Sequence, residues 1–361
     1  MALTSDQVTT ALKSVVDPNT GKDFVTARCV RNVKVSGDDV SFDVELGYPA
    51  ASQIDALRAA AIAAVKAAGA ANVSANVASK IVAHAVQRGL KVLPNVKNII
   101  AVSSGKGGVG KSTVAVNLAL ALAAEGARVG MLDADIYGPS QPTMLGIVGK
   151  PETLDGKTLE PMMGHGIQAA SIGFLIDADQ PMVWRGPMVT QALQQLLGQT
   201  NWQEGDYLVV DMPPGTGDTQ LTLAQQVPVT GALIVTTPQD IALIDARKGL
   251  KMFEKVNVPI LGIVENMAVH VCSNCGHAEH IFGEGGAAKM SADYGVEVLG
   301  SLPLDIRIRE QTDSGRPTVV AEPDGAIANA YKAIARKVAI KIAEQAKDMS
   351  LKMPTIKVSN T

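Results

Sequence analysis

The 361-residue sequence predicts an α/β fold: a mostly parallel, doubly wound sheet with helices on both faces, preceded by a small α+β domain. Three observations carry this. From Asn98 onward, short continuous apolar runs alternate with helix-length segments, and runs apolar at every position suit strands buried on both faces. Residues 1–82 instead show alternating apolar and polar patterns beside an alanine-rich helix. A glycine-rich loop joins the first continuous run to a helix.

The small domain, residues 1–82, reads in order as follows. Asp6 to Val16 has helical periodicity and ends at the turn cluster Asp17-Pro18-Asn19-Thr20-Gly21. Val30 to Val35 and Val40 to Leu46 alternate, and Ser36-Gly37-Asp38-Asp39 between them marks a hairpin. A helix from Ser52 to Ala68 leads into a strand near Asn72 to Val77, on an antiparallel or mixed sheet. Cys29, with no second ligand nearby in sequence, reads as a small buried hydrophobe. Residues 83–97, with Gly89 and Pro94, read as a linker. Residues 98–347 form the second domain, with strands at Ile99–Val102, Val129–Leu132, Tyr207–Val210, Leu233–Val235 and Ile260–Val264. The tail, residues 348–361, reads as weakly ordered or docked on a neighbour.

Composition narrows the function classes. Hydrophobic residues make up 47% and charged residues 19%, which suits a packed core and not a disordered chain. A net charge of −3 provides no overall positive field, so neither nucleic acid nor an acidic membrane is expected as a partner. No apolar run approaches the ~20 residues of a membrane span. Val114 to Ala124, the richest stretch, carries Asn117 and reads as a buried helix. The amino terminus lacks the basic-then-apolar pattern of a signal peptide. Three cysteines, an odd count with two of them close together, point to a reducing cytoplasm and not to a disulfide framework.

Gly105-Lys106-Gly107-Gly108-Val109-Gly110-Lys111-Ser112, followed by Thr113, satisfies the phosphate-loop pattern in its required setting, after a strand and opening a helix. Glycines permit the tight loop and let backbone N–H groups approach phosphate oxygens. The helix turns its positive end to the same anion. Lys111 reaches the β and γ oxygens of ATP, and the Ser112 hydroxyl ligates Mg²⁺. The fold class is therefore a P-loop NTPase. Leu132-Asp133-Ala134-Asp135 and Leu208-Val209-Val210-Asp211 end apolar runs, placing three carboxylates at the carboxyl edge of the sheet. Asp211 is the candidate that contacts Mg²⁺, directly or through water, and Gly215 and Gly217 free the loop after it.

Lys106 is not demanded by the basic motif, and with it the loop resembles the deviant Walker A class of the MinD and ParA ATPases. That resemblance implies an ATP-promoted dimer in which Lys106 reaches the partner's nucleotide. It also implies that Asp135 orients the attacking water, that Asp133 supports the metal, and that Asn266 contacts adenine.

His270-Val271-Cys272-Ser273-Asn274-Cys275-Gly276-His277-Ala278-Glu279-His280 is the second source of chemistry. From spacing alone, the cysteine pair suits a zinc knuckle completed by histidines, a redox dithiol, or half of a four-thiolate cluster closed by a two-fold axis. The segments Asn98–Thr113, Leu132–Ser140, Asp211–Asp218 and Glu265–Met267, together with the cysteine pair, resemble the Mrp/ApbC family of ATP-dependent iron–sulfur cluster carriers. The resemblance implies a homodimer holding a labile [4Fe–4S] cluster through Cys272 and Cys275 of both subunits, loaded by scaffold or donor proteins and delivered to apo-proteins. His277 and His280 would then lie outside the ligand set. The first block resembles the small domain that precedes the ATPase in bacterial members. Tyr48-Pro49-Ala50-Ala51 stands where stand-alone relatives often carry a cysteine, so recruitment of a partner or client is expected of this domain, not metal binding. A ParA- or MinD-like positioning ATPase and a P-loop ATPase with a structural zinc are the alternative functions.

Overall fold

The structure, a computed structural model, describes residues 3–87, 90, 92–176 and 186–345; the expected tail, residues 348–361, lies outside them. In the first block, α1 (Ser5–Leu12) begins at a capping box. Thr4 Oγ1 accepts from the Gln7 amide at 3.3 Å, and the Gln7 side chain accepts from the Thr4 amide at 2.9 Å. Strands β1 (Val30–Ser36) and β2 (Asp39–Leu46) form the expected hairpin. Helix α2 (Ile54–Ala67) crosses over to β3 (Asn72–Ser79), so β3 lies parallel to β2 and the sheet is mixed. Val40, Phe42, Val44 and Leu46 are the buried alternate positions of β2. Cys29 lies half-buried just before β1, and burial pushes its thiol pKa up.

The second block opens with β4 (Val96–Ser103), α3 (Lys111–Ala124), β5 (Val129–Asp133) and the short α4 (Gln141–Met144). A hairpin of β6 (Met162–Gly164) and β7 (Ile167–Ser171) precedes α5 (Gly186–Gln199), β8 (Gly205–Asp211) and α6 (Asp218–Gln226). Then come β9 (Gly231–Thr236), α7 (Asp240–Lys255), β10 (Ile260–Glu265) and a small hairpin, β11 (His270–Val271) with β12 (Ala278–Glu279). Helix α8 (Gly286–Tyr294), β13 (Val298–Ser301), α9 (Ile306–Asp313), α10 (Thr318–Ala321) and α11 (Ala326–Ala343) complete the described chain.

Among the described residues the large sheet runs β13-β10-β9-β4-β8-β5-β7-β6, parallel throughout except for the edge pair β6–β7. Its central strands are buried along their whole length, as the continuous apolar runs predict. Strand β4 starts earlier than the apolar run, at Val96 opposite Gly205. Lys97 fits there because its ammonium reaches Asp206 at 2.7 Å on the neighbouring strand. No helix among the described residues is long and apolar enough to cross a membrane.

The two blocks share a joint at the far end of α3. Glu125, the residue that ends this helix, accepts at its carboxylate from the Ser52 amide (3.1 Å) and hydroxyl (2.7 Å). Its main-chain carbonyl accepts from the Ala51 amide at 3.0 Å. Arg336 of α11 pairs with the same carboxylate at 2.5 Å and donates to Asn19 at 3.1 Å. The Glu125 side chain is fully buried and that of Arg336 is 11% exposed, so the pair sits in low dielectric. Removing one partner of a buried pair costs roughly 3–5 kcal/mol, because the other charge is left desolvated and alone. Arg336→Met is therefore expected to lower the urea midpoint sharply, and Glu125→Gln in the same chain to recover much of the loss. Equal melts for Arg336→Met and the native chain would show that water satisfies Glu125.

Candidate functional site

The phosphate loop runs from the end of β4 into α3. Gly110 takes a left-handed conformation, φ 80°, and the helix start has no side-chain cap, so its first N–H groups face outward as an anion cradle. A methyl group on Gly110 would strike the Asn266 amide, whose Nδ2 donates to the Val109 carbonyl at 2.9 Å. Gly105 lies as tightly on the other side, where a Cβ would fall on the backbone of Asp245 in α7. Val109 is buried, Gly107 and Gly108 are exposed, and Lys106 and Thr113 are half-buried. Lys106 forms no ion pair among the described residues; its carbonyl accepts from Ser104 Oγ at 2.9 Å. Gly215, after Asp211, donates its amide to Ser104 at 3.0 Å and so ties the second loop to the first.

Beneath the loop, Asp133 and Asp211 end adjacent parallel strands and lie directly opposite one another. Lys111 is buried with its ammonium on Asp211 Oδ1 and on the Ser112 hydroxyl, the latter at 3.1 Å. Asp133 accepts from the Asp135 amide at 3.2 Å, the Gln141 amide at 3.1 Å and the Ser171 hydroxyl at 3.1 Å. Burial first, and the Asp211 charge second, push the Asp133 carboxyl up to about 7. Asp135 is half-buried, and burial raises its pKa against the opposing pull of Lys111. The motifs single out every one of these except Gln141 and Ser171; only their place in the fold brings those two to Asp133.

The raised Asp133 has a consequence for stability. The folded protein holds a proton that the unfolded chain releases above its ordinary value of 3.8, so stability falls as pH rises from there to about 7. Thermal melts of nucleotide-free protein across this window should show that slope, and Asp133→Asn should flatten it. An unchanged slope in the variant would mean another group titrates.

The second cluster hangs directly behind Asn266. Met267 turns the chain with φ 56°, and β11 and β12 pair to present a tip in which Cys272 is half-buried and residues 273–277 are exposed. The Cys272 amide donates to the His277 carbonyl and the Gly276 amide to the Cys272 carbonyl, each at 2.9 Å, which closes the knuckle. Backbone N–H groups of Cys275 and Asn274 point at the Cys272 sulfur and hold its pKa below the usual thiol value. His270 Nδ1 lies 3.0 Å from the Leu304 carbonyl and His280 Nδ1 lies 2.8 Å from the Ala268 carbonyl, so both rings brace the base of the hairpin. His277 is exposed. Among the described residues no group of three or more His, Cys, Asp and Glu side chains is placed to hold one metal ion.

Against known proteins, residues 95–339 match the family described as NUBPL iron-transfer P-loop NTPase. The chain belongs to that family. Ahead of this NUBPL-type domain, residues 5–77 match the iron–sulfur cluster assembly protein family. The iron–sulfur cluster carrier protein of Haemophilus influenzae is 51% identical over 345 residues, covering 94% of this chain and 93% of its own length. That of Pseudomonas fragi is 64% identical over 257 residues, 71% of this chain and 90% of its own length. The mouse iron–sulfur cluster transfer protein NUBPL is 52% identical over 258 residues, 70% of this chain and 81% of its own. Among solved structures, a nucleotide-binding protein from Archaeoglobus fulgidus in complex with ADP aligns with a TM-score of 0.57 and 40% identity, covering 64% of this chain and 90% of its own. The Pyrococcus furiosus cell division ATPase MinD, with 24% identity and a TM-score of 0.51, covering 67% of this chain and 98% of its own, shares the fold. This NUBPL-family chain is thus a P-loop ATPase with a MinD/ParA-like sheet, as its motifs predict.

Proposed function

We propose that this chain is an ATP-hydrolysing iron–sulfur cluster carrier. A homodimer holds a [4Fe–4S] cluster as cargo through Cys272 and Cys275 of both subunits, accepts it from scaffold or donor proteins and passes it to apo-proteins. One observation carries the reading: a surface knuckle supplies two thiols and, among the described residues, no third ligand from the same chain. Four sulfurs are what such a cluster takes, and a two-fold axis supplies the other pair. A zinc knuckle draws no support, because among the described residues no three His, Cys, Asp and Glu side chains come together around one point.

The nucleotide side supports hydrolysis. Asp211, Asp133 and the Ser112 hydroxyl form a hard-oxygen set suited to Mg²⁺, and the buried Ser140 hydroxyl and Gln141 Oε1 have no hydrogen-bond partner among the described residues. Magnesium, when bound, neutralises charge on the β and γ oxygens. ATP draws Lys111 from Asp211 to the phosphates, Asn266 lies beside the loop where the base would sit, and Asp135 orients the attacking water. Lys106, with no ion-pair partner of its own among the described residues, is free to reach the nucleotide of a second copy. Exposed Ile241 and Ile244, on the α7 turn next to Gly105, suit that same contact.

Anaerobic reconstitution with iron and sulfide, followed by metal analysis and sizing, tests the proposal. About four irons per dimer supports it. A colourless protein holding one tight zinc per monomer overturns it.

A further inference from the structure

Gln141 is a buried residue that bonds three parts of the candidate magnesium site at once. It is 1% exposed and opens α4, just beyond the Asp135 loop. Its side-chain amide donates to Asp211 Oδ2 at 2.9 Å and to the Ser112 carbonyl at 3.2 Å. Its backbone amide donates to Asp133 Oδ2 at 3.1 Å. One residue therefore spans the end of β5, the end of β8 and the first turn of α3.

We propose that Gln141 is a positioning residue for metal-linked nucleotide binding, a role that rests on the magnesium reading above. Asp211 has two oxygens, and without nucleotide Lys111 takes Oδ1 while Gln141 takes Oδ2. With Lys111 engaged on phosphate, the Gln141 bond would be the remaining side-chain contact among the described residues that fixes the rotation of this carboxylate, leaving Oδ1 available to a metal. Its second bond, to the main chain of Ser112, sets the spacing between that oxygen and the Ser112 hydroxyl. A glutamine that served only to fill space would need neither bond, and a buried amide is costly where a leucine would pack.

The test compares nucleotide affinity with and without magnesium, so the readout is the ratio of two dissociation constants and not turnover. Gln141→Leu keeps most of the volume and removes both donors. It is expected to leave metal-free binding of a fluorescent ATP analogue near the native value and to shrink the gain on adding Mg²⁺ about tenfold, the worth of one hydrogen bond to a charged group. Gln141→Glu keeps the shape but adds a carboxylate beside Asp211. It is expected to weaken metal-free binding and enlarge the magnesium gain, the opposite signature. Thermal melts accompany both, and if the leucine variant does not fold, the sign of the effect in the glutamate variant decides. A native magnesium ratio in both variants, or parallel loss of both affinities in step with a lowered melting temperature, overturns the proposal. Native protein indifferent to magnesium would overturn the metal reading and this role with it, whereas iron content bears on neither.

Discussion

Replacing Cys272 and Cys275 together with serine should abolish iron binding while leaving nucleotide binding and the melting temperature as they were. Cys275 is exposed and Cys272 half-buried on a surface hairpin, and changes at surface positions usually stay within about 0.5 kcal/mol. The chemistry is lost all the same. The N–H groups of Cys275 and Asn274 favour a thiolate at Cys272, and a serine hydroxyl in that place does not ionise. Each single variant leaves one thiol per chain, half of a four-sulfur set, and should bind iron weakly and lose it on gel filtration. Native iron content in the double variant would sink the carrier reading. Iron loss together with collapse of the fold would instead favour a metal with a structural role.

The second large effect belongs to Lys111. Substitution by alanine is expected to remove ATP hydrolysis by a factor of roughly 10³ or more, the scale on which a positioned cation stabilises charge in phosphoryl transfer. It should also destabilise the nucleotide-free protein. The ammonium is 6% exposed and its partner Asp211 is fully buried, beside a second carboxylate at Asp133. Without the lysine, two buried acids face each other, at a cost of roughly 3–5 kcal/mol. Asp211→Asn in the Lys111→Ala background should restore much of the stability and none of the activity. Urea melts and phosphate-release rates on the three proteins check this. A Lys111→Ala protein as stable as the native one would mean that the pair is not formed in solution.

The most legible parts of the sequence were those where one physical constraint acts locally. A strand buried on both faces must be apolar throughout, so the runs at Tyr207–Val210 and Leu233–Val235 announced β8 and β9. A phosphate cradle needs glycine where no side chain fits, and the crowding of Gly105 by Asp245 and of Gly110 by Asn266 is the physical form of that need. Less legible were the elements whose burial is supplied by neighbours. Strand β7, Ile167-Gln168-Ala169-Ala170-Ser171, has neither alternation nor a long apolar run, and it is buried because β5 and β6 flank it. Parallel pairing of β3 with β2 follows from the α2 crossover and not from any pattern within β3. Gln141 and Ser171 were invisible as site residues because each meets Asp133 only through tertiary placement. Tyr48-Pro49-Ala50-Ala51 carries no local pattern that reveals its contacts. The structure places this turn at the joint with the second block, where the Ala51 amide meets Glu125.

That joint changes what cutting the chain would mean. Helix α3 is buried along nearly all of its length, so it has no soft side on which to bend. One end carries Lys111 and Ser112, and the other delivers Glu125 to Ser52 and Arg336. A rigid rod held at both ends carries a small shift at one as an equal shift at the other. The amide of Ala51, bonded to the last turn of that rod, becomes a natural tracer for events at the phosphates some fourteen residues away along α3. An ATPase domain prepared without the first block would leave Glu125 and Arg336 facing water, and its nucleotide affinity would describe a different molecule from the whole chain.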